Sequence, residues 1–230
     1  MSTATDVAKS AAGIVLTRPG LGGIVASVKE GRVTFQRILT YALNSLTKKT
    51  VQVLFLAVGL VMTGHAILTP MLMVIIMLTG DLLGMSLTTD NVRPSPMPNA
   101  WRIGELTVAG VFMGISELVF CTAILAIAKF RLGLGIKTLR TLAFVVIVFG
   151  NQATTYTNRE RRRLGSSCPS RWLIGSSVVD LLIASTLATC GIAMTPLPIF
   201  AVGGILVAAA VFAFVLDLAK VPVFNRLKIA

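Results

Sequence analysis

The sequence is short of acid, cysteine and histidine. Of its 230 residues only nine are Asp or Glu, three are Cys and one is His. Cys121, Cys168 and Cys190 are too few and too scattered for a disulfide scaffold or a paired metal motif, and they read as small packing residues. His65 has no Cys, Asp or Glu beside it, which leaves a metal centre without a ligand set. Charged residues make up 13% of the chain against 55% hydrophobic, and the mean hydropathy is +0.85. A soluble domain needs more polar surface than that. A removable leader is also missing from the pattern: a long polar stretch precedes the first apolar run, so the first hydrophobic element is expected to stay in the mature chain.

What the sequence has instead is long uncharged runs. Residues 50–80 contain no Asp, Glu, Lys or Arg, and Gly64, His65 and Pro70 punctuate the run near its middle. Two membrane helices joined by a tight turn fit that pattern, each near the roughly 20 residues that cross a bilayer. Four further segments follow, and the whole set is expected at about 42–63, 68–89, 106–128, 139–157, 172–194 and 198–219. Period-two alternation is absent, which argues against a membrane β-barrel. Polar outer faces are absent too, which argues against a large soluble bundle. The expected fold class is therefore an all-α polytopic membrane bundle of six transmembrane helices.

The formal net charge of +12 raises nucleic acid as a partner until its distribution is examined. With six crossings, 17 of the 21 Lys and Arg residues fall on one side. Lys129, Arg131, Lys137 and Arg140 fall on the other. That asymmetry predicts both termini in the cytosol. The run Arg159-Glu160-Arg161-Arg162-Arg163 sits at a membrane end, where Arg161, Arg162 and Arg163 are expected to set topology and meet anionic headgroups. No independent basic fold or aromatic platform accompanies it, so nucleic acid is not an expected partner and the lipid bilayer is. Lys48 and Lys49 stand at the entry to the first crossing, where snorkelling to headgroups is one reading and pairing with a pathway carboxylate the other.

Residues 1–49 differ in composition. Thr5 or Asp6 can cap a short helix through Ala12, and Ile14-Val15-Leu16 reads as a short strand ending before Pro19-Gly20. Residues 1–22 are thus expected to form a small α/β remnant, 23–41 a cytosolic stalk helix, 42–221 the membrane domain and 222–230 a cytosolic tail.

Ionisable groups inside apolar spans are costly and point to function. Asp81, in the second crossing, is the leading candidate to bind a proton or another small cation. Thr79, Gly80 and Gly84 flank it with a hydroxyl and with backbone that can unwind. Asp90 and Asn91 follow, in a position suited to a cap or a loop. Glu117, Asn151, Gln152 and Asp180 are further polar groups in the spans, open to both a pathway role and a packing role.

Taken together, the stretch Leu78-Thr79-Gly80-Asp81-Leu82-Leu83-Gly84-Met85-Ser86-Leu87-Thr88-Thr89-Asp90-Asn91, the segment from Thr5-Asp6-Val7 to Thr17, and Phe35-Gln36-Arg37-Ile38 resemble the carboxyl-terminal membrane half of plasma-membrane proton-pumping P-type ATPases. The resemblance extends over essentially the whole chain. It implies that the amino-terminal segment is the end of a phosphorylation domain, that the stalk enters family helix five, and that the spans are helices five to ten. It also implies that Asp81 matches the helix-six carboxylate of proton binding. Several positions depart from the family pattern. Val51 stands near the place of a helix-five Arg, with Lys48 and Lys49 close by, Gly80 replaces an Asn, and Arg18 occupies a position often acidic.

The sequence contains no Asp-Lys-Thr-Gly, Thr-Gly-Glu or Gly-Asp-Gly motif. The phosphoryl acceptor and magnesium-handling groups of the family are therefore not in it. No cofactor is expected in this chain. ATP and Mg2+ are implied only for an intact family enzyme or a catalytic partner. The expected function is a truncated or split P-type ATPase transport module that contributes a proton or cation pathway and depends on an amino-terminal half carrying the catalytic domains. Alternatives are an inactive ATPase remnant, an independent secondary transporter, and a membrane assembly or regulatory subunit.

Overall fold

In the computed structural model of the chain, the described residues are 5–15, 21–92, 94–95, 101–161 and 163–227, with the side chain of Asn225 left aside. They form α1 (Asp6–Ala11), α2 (Gly22–Thr63), α3 (Pro70–Ser86), α4 (Ile103–Ala126), α5 (Ile136–Arg159), α6 (Arg171–Cys190) and α7 (Ile199–Arg226). A 3-10 turn, Leu87–Thr89, extends α3, and a π turn, Ile127–Arg131, extends α4.

Local chemistry sets the helix ends. Thr69 Oγ1 accepts from the Leu72 amide at 3.4 Å with Pro70 in the first turn, and Ser170 Oγ accepts from the Leu173 amide at 3.2 Å. Both serve amides that have no carbonyl partner within their own helix. Gly64 closes α2 and Gly191 closes α6, at φ 72° and 70°, a left-handed conformation that glycine adopts without Cβ strain. Basic side chains finish the same end of the bundle. Arg140 Nε donates to the Ala66 carbonyl at 3.0 Å, and Lys129 Nζ donates to that of Met62.

Close packing joins α2 to α4. A Cβ at Gly110 would lie 2.8 Å from Leu46 Cβ, and one at Gly114 would lie 2.8 Å from Thr50 Cβ and 3.2 Å from the Thr47 carbonyl. Small residues four apart let the two backbones approach this far, and in lipid such packing, rather than water exclusion, drives association. The other helices surround α5, whose residues from Thr141 to Arg159 are buried with the single exception of half-buried Tyr156.

The structure departs from two of the sequence expectations. The first is the amino-terminal α/β remnant. Among the described residues there is no β-strand. Ile14 and Val15 are irregular and exposed, with no neighbouring strand to pair their amides and carbonyls, and Leu16, Arg18, Pro19 and Gly20 lie outside the described residues. Among the described residues of that segment α1 is the regular element, capped by Thr5 and burying nothing.

The second correction concerns the number of apolar crossings. Among the described residues five helices, α2, α3 with its 3-10 turn, α4, α6 and α7, are long and apolar enough to span a membrane, rather than six. The helix that falls short is α5. Its 24 residues are long enough, but it carries Lys137 and Arg140 in its first two turns and ends in Asn151, Gln152, three Thr, Asn158 and Arg159. Protein rather than lipid solvates this helix, so its polarity carries no lipid penalty. The five apolar helices make the chain a multi-pass integral membrane protein.

Candidate functional site

Three polar regions lie along the bundle. The first is a cavity of about 60 Å³ between α2, α3 and α5, lined by Asn44, Lys48, Gly80, Asp81 and Asn151 among others. That is room for several water molecules, and the polar lining offers them partners. Lys48 reaches into it. Its Nζ donates to the Gly80 carbonyl at 3.0 Å, and a Cβ at residue 80 would sit 3.7 Å from that ammonium. Asp81 follows on α3, exposed at the cavity wall. Lys49, also exposed, stands on the same lining.

The second region flanks α5. Glu117 on α4 is fully buried and accepts from Thr154 Oγ1 at 2.8 Å through Oε2. A Cβ at Gly150 would lie 3.0 Å from Glu117 Oε1, so the bare glycine makes space for the carboxylate. Asp180 on α6 is buried and accepts from Gln152 Nε2 at 2.5 Å through Oδ2. Thr79 is buried beside it, its hydroxyl 3.5 Å from the Ile76 carbonyl. One oxygen of each carboxylate makes no hydrogen bond. The same holds for Asn151 Oδ1, Gln152 Oε1, Thr155 Oγ1 and Asn158 Oδ1. Asn158 Nδ2, by contrast, donates to Asn44 Oδ1 at 2.9 Å and ties α5 to α2. The ammonium of Lys48 is within electrostatic reach of Glu117, Asp180 and Asp81. It links the cavity to the interior carboxylates.

The third region is at the end where α5 stops. Asp90 and Arg159 form an ion pair with both side chains buried. Asp90 Oδ1 also accepts from the Ser170 amide at 2.9 Å, its carbonyl accepts from Arg37 Nε at 2.9 Å, and Arg159 Nη1 donates to the Ser167 carbonyl at 3.0 Å. Arg159 Nη2 reaches the carbonyl of Asn91, whose own side chain is exposed. Nearby, Lys220 Nζ pairs with Asp217 at 2.6 Å and donates to the Thr157 and Glu160 carbonyls at 2.7 Å each. Arg161 donates to Gln36. Burial pushes its guanidinium down to about 10, with the Glu160 carboxylate acting in the opposite direction. Arg163 is exposed, and Arg162 lies outside the described residues.

The structure thus brings Lys48, Asp81 and Asn151 to one cavity, and sets Glu117 and Asp180 against α5. It holds Asp90 apart, in a separate ion pair. Sequence reading missed the Asp90–Arg159 pair and the buried Lys220. For Lys220 a signal was present, since Asp217 lies one turn before it in the otherwise apolar stretch 199–224. For Asp90 and Arg159, 69 residues apart, there was none. Among the described residues no three His, Cys, Asp or Glu side chains gather to hold a metal ion.

The described residues form a multi-pass bundle with ionisable groups at its centre, and comparison with known proteins shows what it is similar to. No protein-family model matches the chain. A Methanocaldococcus jannaschii protein, MJ1226, whose name describes a cation-transporting ATPase, is 29% identical over 198 residues. The match takes in 86% of this chain and 25% of that protein, so the chain spans about a quarter of the length of the curated relative. The chain is a distant homologue of a cation-transporting ATPase.

Proposed function

We propose that the chain supplies the cation pathway of a P-type ATPase, with the proton as its ion and Asp81 as the principal carboxylate. The observation that carries this reading is the small polar cavity between α2, α3 and α5, where Lys48 and Asp81 share a lining with Asn44 and Asn151. A carboxylate at a hydrated cavity can take up and release a cation, while a fixed ammonium nearby offsets its charge when no ion is bound. Glu117 and Asp180, each with an oxygen to spare, extend the polar path toward α5 and α6, and Asn151, Gln152 and Thr79 solvate it.

On this reading the stalk part of α2 carries movement into the membrane part, and both chain ends lie in the cytosol. Lys49, Arg161 and Arg163 stand at that membrane face. The distant match to a cation-transporting ATPase supports the ion-transport class, and the residues quoted above support the proton-pump resemblance. ATP and Mg2+ act in a catalytic portion with its own phosphoryl acceptor. The residues that would hold them are not in this sequence.

The test is reconstitution in proteoliposomes with and without the catalytic portion of a related ATPase, recording proton flux and ATP turnover. ATP-dependent flux is expected only with the catalytic portion, and Asp81→Asn is expected to abolish it. Flux from the chain alone would overturn the dependence on a catalytic portion. Normal flux in the D81N protein would overturn the role of Asp81.

A further inference from the structure

We propose that the groove between α3 and α6 binds a lipophilic amine, whose ammonium group pairs with Asp180. This groove is separate from the small cavity on the other side of α3. Its volume is about 550 Å³, and its walls include Leu82, Met85, Trp172, Val179 and Ile183, with Asp180 in the lining. That is the size and character of a site for a small apolar ligand with one polar anchor.

The anchor is what separates this groove from ordinary lipid-facing surface. Asp180 is 4% exposed, Gln152 serves its Oδ2, and Oδ1 has no hydrogen bond within 3.5 Å, the neutral Thr79 hydroxyl being the further donor beside the carboxylate. A carboxylate oxygen without a partner in a protein interior calls for a donor, best of all a cationic one. An ammonium entering along the groove supplies it while Gln152 keeps the other oxygen. Ser176 Oγ donates to Ser86 Oγ at 2.9 Å across the same two helices, which fixes their separation.

Depth decides which kind of amine fits. Asp180 is nine residues into α6, which places it about 14 Å along the helix axis, near the middle of a hydrocarbon layer roughly 30 Å thick. An aminophospholipid headgroup stays at the interface and does not reach that depth. A tertiary amine on a hydrocarbon chain does, with its tail against the apolar walls.

The chain has two tryptophans, so Trp101→Phe leaves Trp172 as the reporter. Phenylalanine retains a ring for the edge contact with Phe35. In nanodiscs, the probe is a dimethylamine on a terminally dibrominated dodecyl chain, with the dibrominated dodecanol as control. The amine is expected to quench Trp172 saturably at a concentration about tenfold below the alcohol, and Asp180→Asn is expected to remove that difference. Gly175→Phe provides a second variant should D180N not fold. A Cβ at Gly175 meets nothing within 4 Å, and the added ring should fill the groove and abolish saturable quenching. Equal, unsaturable quenching by amine and alcohol would overturn the proposal in favour of plain lipid contact. Absence of quenching by either would overturn it by showing the groove closed.

Discussion

Asp90 and Glu117 are both buried carboxylates, yet the molecule treats them in opposite ways. Asp90 is paired with Arg159, receives the Ser170 amide, and neither partner has an unserved buried atom. Glu117 receives one hydroxyl, from Thr154, and leaves Oε1 without a partner. A fully satisfied charge in a protein interior holds elements together. A half-satisfied one keeps capacity for a proton, a water or a cation. The end of α5 is therefore a fastening, and its middle is the working part under the proposed function.

The sharpest way to break this comparison is to remove Asp90. Asp90→Ala leaves the Arg159 guanidinium buried without its counter-charge, a loss of about 3–5 kcal/mol. Detergent-solubilised protein should show a large drop in unfolding midpoint and poor recovery of folded material. A change under about 1 kcal/mol would mean that water already reaches Arg159 and that this end is not the fastening described.

Next in size is the α2–α4 contact at Gly114, one turn before Glu117 on α4. Gly114→Leu drives a side chain into Thr50 and the Thr47 carbonyl, where even a Cβ lies at 2.8 and 3.2 Å. Overpacking of this kind costs about 1–3 kcal/mol. Gly104, whose Cβ would meet nothing within 4 Å, is the control, and Gly104→Ala should leave the unfolding midpoint unchanged. Equal effects at the two glycines would show that the close approach does not support the bundle.

Glu117→Gln should sit below both. The amide keeps an acceptor for Thr154 and takes away a charge that has no salt-bridge partner, so stability should change by less than about 1 kcal/mol. Flux in the reconstituted complex should nevertheless fall. A destabilisation as large as that of Asp90→Ala would place Glu117 with the structural charges and remove the contrast.

How much of this was legible in the sequence follows the same division. Gly64 and Pro70 marked the turn between α2 and α3 because turn geometry is local, and the uncharged stretch of residues 50–80 showed two helices on length alone. Asp180 and Gln152 could be named as polar groups inside spans, but not as partners, since their meeting depends on how α5 and α6 pack. The central place of α5 was not legible. Its polar half reads in one dimension as a weak membrane span, and only the surrounding helices make it the core. Lys48 illustrates the limit well: sequence allowed an outward or an inward side chain, and the carbonyl of Gly80, 32 residues away, receives it inside. The strand expected at Ile14 and Val15 failed for a related reason. β-branched residues favour extended backbone only when a neighbouring strand is there to pair with them.

The smallest effect is expected at Arg161, which stands between the two kinds of charge. It donates to Gln36, yet burial lowers its guanidinium to about 10 despite the opposing influence of Glu160. A cation whose folded value lies below its unfolded one burdens the folded state while both forms are charged. Above about pH 10 the unfolded chain holds this proton more tightly than the folded chain does, so this group's contribution to stability rises with pH there. Arg161→Gln removes both the burden and the bond to Gln36, and near neutral pH the two changes should nearly cancel, within about 1 kcal/mol. The discriminating measurement is the difference in unfolding midpoint between the two proteins from neutral pH to pH 11. That difference should shift in favour of the unsubstituted chain as pH passes 10. A flat difference would mean that Arg161 remains fully charged in the fold and belongs with Arg159 among the satisfied charges.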